Sequence, residues 1–275
     1  MPRRLFEKGY PQRHGTKHGE EAAMSGVLKA VIFDVDGTLV DSVDLHAHAW
    51  VEAIRHFGYH AEFDAVRSQI GKGGDQLMPV FVPEKDLARV EDELDHFRHE
   101  LFARKYMPKV RGFRRVRGLF QHLHAEGLRI ALASSAKGDE LERYKRAAEI
   151  EDLVDVETSS DDAERSKPHP DIFEAALERL GLPADEAVVV GDSPWDAKAA
   201  GRAGLTVVGV LCGGFAEQDL RKAGCAEIFR DPEDLQRRFA VSLIGKRSPR
   251  AMGLFQPGRS QPGRPSARGA SRMGA

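Results

Sequence analysis

The order of apolar and amphipathic segments predicts an α/β fold: a doubly wound, Rossmann-like parallel sheet with an all-helical domain inserted after its first strand. Two observations carry this prediction. From Phe113 onward, short apolar runs alternate with amphipathic segments, which is typical of strands and crossover helices in a parallel sheet covered on both faces. Between the first apolar run and this alternation, residues 43–107 show only helical patterns.

The individual elements follow from the same patterns. The first strand is predicted at residues 28–33, an apolar run of the buried type. The insert is expected to hold four helices, of which the first covers residues 43–57 and the longest residues 85–106. Further strands are predicted at residues 128–133, 154–156, 187–190, 206–210 and 227–229. The helices between them are predicted at residues 114–126, 139–148, 171–180, 195–203 and 216–223, and a last one from residue 232.

Composition limits the classes of function. The chain has 275 residues and no apolar run of the roughly 18 residues that span a bilayer, so no membrane partner is expected. Residues 27–244 carry 29 basic and 40 acidic side chains, which argues against a specific nucleic-acid partner. Two cysteines and the lack of an apolar leader segment fit a cytoplasmic location. Monomer and dimer both stay open.

The two ends of the chain differ from its body. Residues 1–26 lack periodicity and are expected to be a disordered or non-essential extension. Residues 245–275 carry seven basic and no acidic side chains among Gly, Pro and Ser, and are expected to form a disordered basic tail. The predicted core domain therefore comprises residues 27–42 and 108–244, and the helical domain residues 43–107.

Two carboxylates, Asp34 and Asp36, lie where the first strand is expected to end, just before Gly37. Ligands bind at the carboxyl ends of the strands in such sheets, and alternate residues of a strand point to the same side. Carboxylates this close must share a proton or hold a cation. Mg²⁺ takes oxygen ligands, often carboxylates together with a substrate phosphate, so the pair suggests metal-assisted phosphoryl chemistry. For the pair alone, a solvated turn or a calcium loop is the alternative.

Three later segments add polar groups at expected strand ends. Ser134 and Ser135 follow one strand, and a hydroxyl there can donate to a phosphate oxygen. Lys167 lies in a proline-rich loop, where its charge would help to balance two carboxylates and a phosphate. Asp192 follows another strand, with Asp196 four residues later. Taken singly, these residue types are ordinary in turns, caps and solvated loops.

Together, the four segments resemble the four motifs of the haloacid dehalogenase (HAD) superfamily. Asp-Val-Asp-Gly-Thr-Leu-Val-Asp-Ser from Asp34 is similar to motif I, and Ser134, with Ser135 beside it, stands at motif II. Lys167 in Lys-Pro-His-Pro-Asp resembles motif III, and Gly-Asp-Ser-Pro-Trp-Asp around Asp192 resembles motif IV. The resemblance covers about residues 28–240, and the helical insert falls where members like phosphoglycolate phosphatase and β-phosphoglucomutase carry a C1-type cap.

The resemblance implies a Mg²⁺-dependent phosphatase that hydrolyses a small phosphorylated metabolite through a phospho-aspartate intermediate. It assigns Asp34 as the nucleophile, Asp36 as general acid and base, and Lys167 as the cation between Asp34 and the phosphate. Mg²⁺ is expected on Asp34, the backbone carbonyl of Asp36 and Asp192, with Asp196 in support. Because Asp36 must hold a proton near neutral pH once substrate is bound, we expect its pKa to be raised.

Substrate choice is expected to lie in the cap. His46 on the first cap helix and Lys72 in the glycine-rich cap loop are the candidate substrate-binding residues, and Lys72 is placed to meet an anionic substrate end such as a carboxylate.

Related activities are distinguished by single positions. Sugar-phosphate mutases of the β-phosphoglucomutase type carry Glu where this chain has Gly191 and Arg in the cap loop where it has Gly73 and Gly74, so a hydrolase is favoured. Dehalogenases lack the second carboxylate, which is present here as Asp36. A catalytically idle member that binds a metabolite or a partner is expected to have lost a motif residue, and none is lost.

Overall fold

The structure is a computed structural model that describes residues 26–255. The expectations for residues 1–25, and those for residues 256–275, lie outside the described residues. Within residues 26–255, none of the helices combines the length and the apolar character that crossing a bilayer requires.

In the part of the chain that the structure describes, eight strands form two sheets. They are β1 (Ala30–Phe33), β2 (Val40–Asp41), β3 (Arg111–Gly112), β4 (Arg129–Ala133), β5 (Val156–Thr158), β6 (Ala187–Gly191), β7 (Thr206–Val210) and β8 (Glu227–Phe229). Six of them make a parallel sheet in the order β5-β4-β1-β6-β7-β8, and β2 pairs with β3 in an antiparallel ribbon. The predicted doubly wound parallel sheet is confirmed.

The register of the central strands brings three loops to one edge of the sheet. Phe33 at the end of β1 pairs with Leu132 on one side and Val190 on the other. The chain segments that follow these three positions therefore leave the sheet side by side. The strand order also reverses at β1, which is where ligands bind in open α/β sheets.

Eleven helices lie within the described residues. They are α1 (Val43–His56), α2 (Phe63–Arg67), α3 (Gly74–Phe81), α4 (Glu84–Leu101), α5 (Val116–Ala125), α6 (Gly138–Ala147), α7 (Asp171–Leu180), α8 (Pro194–Arg202), α9 (Glu217–Ala223), α10 (Pro232–Arg237) and α11 (Leu243–Lys246). Residues Phe102–Tyr106 extend α4 by a π-helical turn. The predicted boundaries differ from these by a few residues at most.

Each face of the parallel sheet has its own apolar core. Val31 and Phe33 pack among side chains of α5, α6 and α10, whereas Ala30 and Ile32 pack among those of α7, α8 and α9. This alternation follows from the pleat of a strand, which points successive side chains to opposite faces. Helices on both faces explain why the strands are continuous apolar runs rather than alternating ones.

Helices α1 to α4 form a third core of their own. Trp50, Ile54, Leu77 and Leu94 are among its buried members. The antiparallel pairing of β2 with β3 joins the chain just before α1 to the chain after α4, so both ends of the helical segment leave the core domain at one place. Strands of two residues carry no periodic signal, and this ribbon was therefore not predicted.

The prediction that disorder begins at Gly245 is wrong for the residues that the structure describes. Gly245 is buried in α11, and Arg247 donates hydrogen bonds to the carbonyl oxygens of Gly26 and Asp185, each at 2.7 Å. Ser248 is fully buried. The composition of residues 245–275 did not indicate that the first of them are ordered, because their order depends on partners that are distant in sequence.

Candidate active site

Four charged side chains meet at the carboxyl edge of the parallel sheet. Asp34 follows β1, Asp192 follows β6, Asp196 lies in the first turn of α8, and Lys167 lies in the loop between β5 and α7. Lys167 Nζ is 2.5 Å from Asp34 Oδ1 and 2.8 Å from Asp196 Oδ1. One oxygen from each of the three carboxylates lies within 4.8 Å of the others. All four side chains are buried.

The charges of this cluster do not balance, since three carboxylates face one ammonium. Burial and the negative charge of Asp196 raise the pKa of Asp34 to about 7, against the opposing effect of Lys167. Burial, followed by the charge of Asp34, raises the pKa of Asp192 well above its ordinary value. Burial disfavours the charged form of Lys167, but the nearby carboxylates outweigh it and raise its pKa. An additional cation would relieve this excess of negative charge.

Two glycines lie against the carboxylate of Asp192, where a larger side chain would occupy the space that a small cation needs. A Cβ atom at Gly213 would lie 1.7 Å from Asp192 Oδ2, and one at Gly37 would lie 2.5 Å from the same atom. The hydroxyl of Thr38 lies 3.1 Å from Asp34 Oδ2 and 3.3 Å from Asp192 Oδ1, so its single proton can be donated to either oxygen and the residue bridges the two carboxylates. Buried carboxylate oxygens are the donor set that Mg²⁺ requires, so the residues present fit that ion.

Asp196 caps a helix in addition to contacting Lys167. Its Oδ2 accepts hydrogen bonds from the amide of Ser193 at 3.1 Å and from Ser193 Oγ at 2.6 Å, and Ser193 caps the amide of Asp196 in return. This reciprocal capping box fixes the first turn of α8. It also aims the other oxygen of Asp196 at Lys167.

Asp36 points away from this cluster, toward the first helix of the insert. Its Oδ1 accepts from Ser42 Oγ at 2.5 Å and lies 3.0 Å from His46 Nε2. Burial raises the pKa of Asp36, but the charge of His46 and the hydrogen bonds from His46 and Ser42 outweigh it, so the pKa lies below its ordinary value. The pKa of Asp36 is therefore lowered where we expected it to be raised, because partners that stabilise the carboxylate surround it.

His46 connects Asp36 to two residues that the sequence did not single out. Its Nε2 lies 2.7 Å from the hydroxyl of Tyr144, which donates to Glu140 Oε1 at 2.6 Å. The imidazole stacks on Phe102, with 3.9 Å between ring centroids. The one available signal was the spacing of Glu140 and Tyr144, which places both side chains on one face of α6. Asp36, His46 and Glu140 are also close enough to share a metal ion, but hydrogen bonds among them and Tyr144 already occupy these atoms.

The two serines after β4 differ in position. Ser134 is fully buried, and its Oγ accepts a hydrogen bond from the amide of Ala136 at 3.1 Å, so the O–H group itself remains a donor. Ser135 lines a cavity of about 350 Å³ between the helical insert and the core. Asp34, Asp36 and the insert residue His46 line the same cavity.

Lys72 also lines this cavity but already has partners. Its Nζ donates to Gln69 Oε1 at 2.6 Å and lies 4.2 Å from the centroid of the Trp195 ring. Burial and the charge of Lys198 lower its pKa.

The glycine-rich loop that carries Lys72 packs directly on the core. A Cβ atom at Gly73 would lie 2.0 Å from Ser166 Oγ, and one at Gly71 would lie 2.8 Å from Ser193 Oγ. Asp75 Oδ2 accepts from the amide of Ser166 at 3.2 Å. The loop therefore contacts the segments that carry Lys167 and Asp192, which closes one side of the cavity.

The chain belongs to the haloacid dehalogenase-like hydrolase family, whose model matches residues 31–210. It is similar to a phosphoglycolate phosphatase from Yersinia pestis, with 31% identity over 68% of this chain and 82% of that protein. It is also similar to a phosphorylated carbohydrates phosphatase from Thermotoga maritima, with 28% identity over 76% of this chain and 96% of that protein. Among solved structures, a hydrolase from Pseudomonas syringae superposes with a TM-score of 0.70 and 29% identity, covering 78% of this chain and 98% of that one.

Proposed function

We propose that this family member is a Mg²⁺-dependent phosphatase that hydrolyses a small phosphomonoester through a phospho-aspartate intermediate. The observation that carries the proposal is the contact of 2.5 Å between Lys167 and Asp34, within a buried carboxylate cluster that opens on a cavity of about 350 Å³. A carboxylate held by a lysine beside a cation site is suited to attack phosphorus. The relatives named as phosphatases support the same reaction class.

In the first step, an oxygen of Asp34 attacks phosphorus while the bond from phosphorus to the leaving oxygen breaks. Lys167 holds the attacking carboxylate and offsets the charge of the phosphoryl group, and the hydroxyl of Ser134 donates to one of its oxygens. Asp36 protonates the leaving alkoxide, and then takes a proton from the water that hydrolyses the acyl phosphate and frees Asp34. Mg²⁺ on Asp34, Asp192 and the backbone carbonyl of Asp36, with Asp196 in support, would supply charge neutralisation for the phosphoryl oxygens.

The lowered pKa of Asp36 is compatible with its role as an acid if substrate changes its surroundings. Asp36 and Asp34 line the same cavity, so a bound phosphate dianion would lie close to the Asp36 carboxylate. A like charge nearby raises the pKa of a carboxyl group. We expect Asp36 to take up its proton together with substrate.

The domain assignment is part of the proposal. Residues 43–107 act as a cap that covers the reacting groups and excludes bulk water, and the remainder of the described chain is the core. Cys212 and Cys225 are both free thiols, which suits a reducing compartment, so we place the enzyme in the cytoplasm.

A mutase of the β-phosphoglucomutase type is the second candidate, and one contact disfavours it. A Cβ atom at Gly191 would lie 2.7 Å from Asp196 Cβ. A Glu at this position would therefore displace the carboxylate that holds Lys167, so the cluster as it stands suits a chain with glycine there.

The test is release of inorganic phosphate from p-nitrophenyl phosphate and a panel of phosphorylated metabolites, with Mg²⁺ and after treatment with EDTA. The proposal expects turnover with Mg²⁺, loss of turnover in EDTA and recovery when Mg²⁺ is added back. Full turnover in EDTA would contradict the metal assignment, whereas isomerisation of a sugar phosphate without phosphate release would favour the mutase. A chain that binds metabolites but turns over none of them would be a catalytically idle member.

A further inference from the structure

The cavity wall beyond Asp34 and Asp36 is densely charged. Among the described residues that line it there, five are acidic and three are basic: Asp75, Glu91, Asp92, Asp95, Glu140, Lys72, Arg98 and Lys137. Cationic side chains in a phosphatase cavity would ordinarily favour a substrate with a second anionic group. Here the acidic residues outnumber the basic ones, so the wall as a whole does not favour such a group.

Asp95 forms ion pairs with two of the three cationic residues that line the cavity. Its Oδ1 accepts from Arg98 Nη2 at 3.1 Å on the same helix, and its Oδ2 lies 3.5 Å from Nζ of Lys137, which belongs to the core. Burial raises the pKa of Asp95, but the charges of Arg98 and Lys137 outweigh it and lower the pKa, so the carboxylate is ionised at neutral pH. The third cation, Lys72, is bound to Gln69.

Arg98 is held in the wall by Trp50 as well as by Asp95. Its side chain is 12% exposed, and its guanidinium lies 5.1 Å from the centroid of the Trp50 ring. Its Nε is buried and has no hydrogen-bond partner among residues 26–255.

We infer that Asp95 determines the substrate class by selecting phosphomonoesters whose far end is uncharged or cationic, such as a polyol or an amine, over those that end in a carboxylate or a second phosphate. An anionic end would have to separate Asp95 from Arg98 and Lys137 and would then face the remaining carboxylates of the wall. A hydroxyl or an ammonium group can instead donate to Asp95. The assignment rests on the proposed phosphatase function and concerns its specificity.

The experiment compares substrates that differ only at the far end. Glycerol 3-phosphate is paired with 3-phosphoglycerate, and phosphoethanolamine with phosphoglycolate, and kcat/KM is measured for each with Mg²⁺. We expect the wild-type enzyme to prefer the uncharged or cationic member of each pair by about fivefold, the size of one partly exposed charge interaction. A preference for the carboxylate member would overturn the inference.

Replacing Asp95 tests whether this residue carries the preference. Asp95→Asn frees both cations, and we expect it to raise the ratio of 3-phosphoglycerate to glycerol 3-phosphate kcat/KM by about fivefold, mainly through KM. Asp92→Asn is the matched control, because it removes the same charge from the same cavity wall without releasing Arg98 or Lys137. An equal change of the ratio in both variants would overturn the inference, since general cavity charge would then explain it.

A second variant keeps the test valid if Asp95→Asn does not fold, as judged by circular dichroism. Lys137→Gln removes one of the two cations and leaves Asp95 in place, so we expect the opposite sign, a further loss of kcat/KM for the carboxylate substrates. No change of the ratio in Lys137→Gln would contradict the inference.

The failure of the two proposals can be told apart. If the wild-type enzyme hydrolyses no phosphomonoester, p-nitrophenyl phosphate included, the proposed function fails. If it hydrolyses p-nitrophenyl phosphate but prefers anionic far ends, or if Asp95→Asn leaves its preference unchanged, only the inference on Asp95 fails.

Discussion

The two walls of the cavity hold their charges differently. At one wall, which we call the core wall, Asp34 lines the cavity, and Asp34 and its neighbours Lys167 and Asp192 are at most 5% exposed. At the far wall, where Asp95 of the helical insert lies beside Lys137, the side chain of Asp95 is 28% exposed and that of Lys137 is 47% exposed. The charges of the core wall are therefore shielded from solvent, whereas those of the far wall remain in contact with it.

This difference separates the chemistry from the choice of substrate. Buried charges interact in a low dielectric, so each position is tightly constrained by the others. Partly exposed charge pairs contribute less, commonly up to about 1 kcal/mol, so they can be exchanged with little effect on folding. We therefore expect substitutions in the core wall to abolish turnover and those in the far wall to change which substrate is preferred.

Removing Asp34, the proposed nucleophile, has the largest expected effect. Asp34→Asn keeps the shape of the side chain but cannot form the acyl phosphate, so we expect kcat to fall by about 10³-fold or more. Phosphate release measures the effect, and Asp41→Asn, at an exposed position in the same segment, is the control that should retain turnover. Substantial turnover in Asp34→Asn would contradict the division between the two walls.

Removing the buried cation comes next. Lys167→Met leaves Asp34 and Asp196 facing each other, so we expect kcat to fall by about 10²-fold and the free energy of unfolding without Mg²⁺ to fall by about 3 kcal/mol. Urea denaturation and phosphate release give the two quantities. Lys198→Met, which removes an exposed lysine beside Trp195, should change neither by a comparable amount. An equal effect of both substitutions would mean that burial is not the deciding property.

The network behind Asp36 should have an intermediate effect. Tyr144→Phe removes the hydroxyl between His46 and Glu140, and we expect kcat to fall by about tenfold with little change in KM, because Tyr144 positions the acid rather than the substrate. Tyr106→Phe is the control, since its hydroxyl donates to Glu52 outside this network. A change confined to KM would instead indicate a contact with substrate.

The smallest expected effect on turnover is at the end of the described chain. Arg247→Ala removes two hydrogen bonds from a charged donor to backbone carbonyls, and we expect the free energy of unfolding to fall by about 2 kcal/mol while kcat is unchanged. Arg250→Ala, at a side chain 52% exposed, is the control and should have a smaller effect on stability. A loss of kcat in Arg247→Ala would show that this segment reaches the site.

The sequence alone determined the parallel sheet and the edge of that sheet at which the candidate site residues lie. Apolar runs interrupted by amphipathic helices allow few arrangements other than a parallel sheet, and polar residues after such runs must then meet at its carboxyl edge. Asp34, Lys167, Asp192 and Asp196 were predicted on that basis and on the family resemblance, and the structure brings them together.

Only the tertiary structure decided the surroundings of these groups. The low pKa of Asp36, the hydroxyl of Tyr144 between His46 and Glu140, and the pairing of Asp95 with Lys137 join residues that are distant in sequence and carry no shared pattern. The order around Arg247 depends in the same way on a carbonyl near the other end of the described chain. Periodicity reports which face of an element is buried, whereas charge pairing across elements depends on how the elements pack.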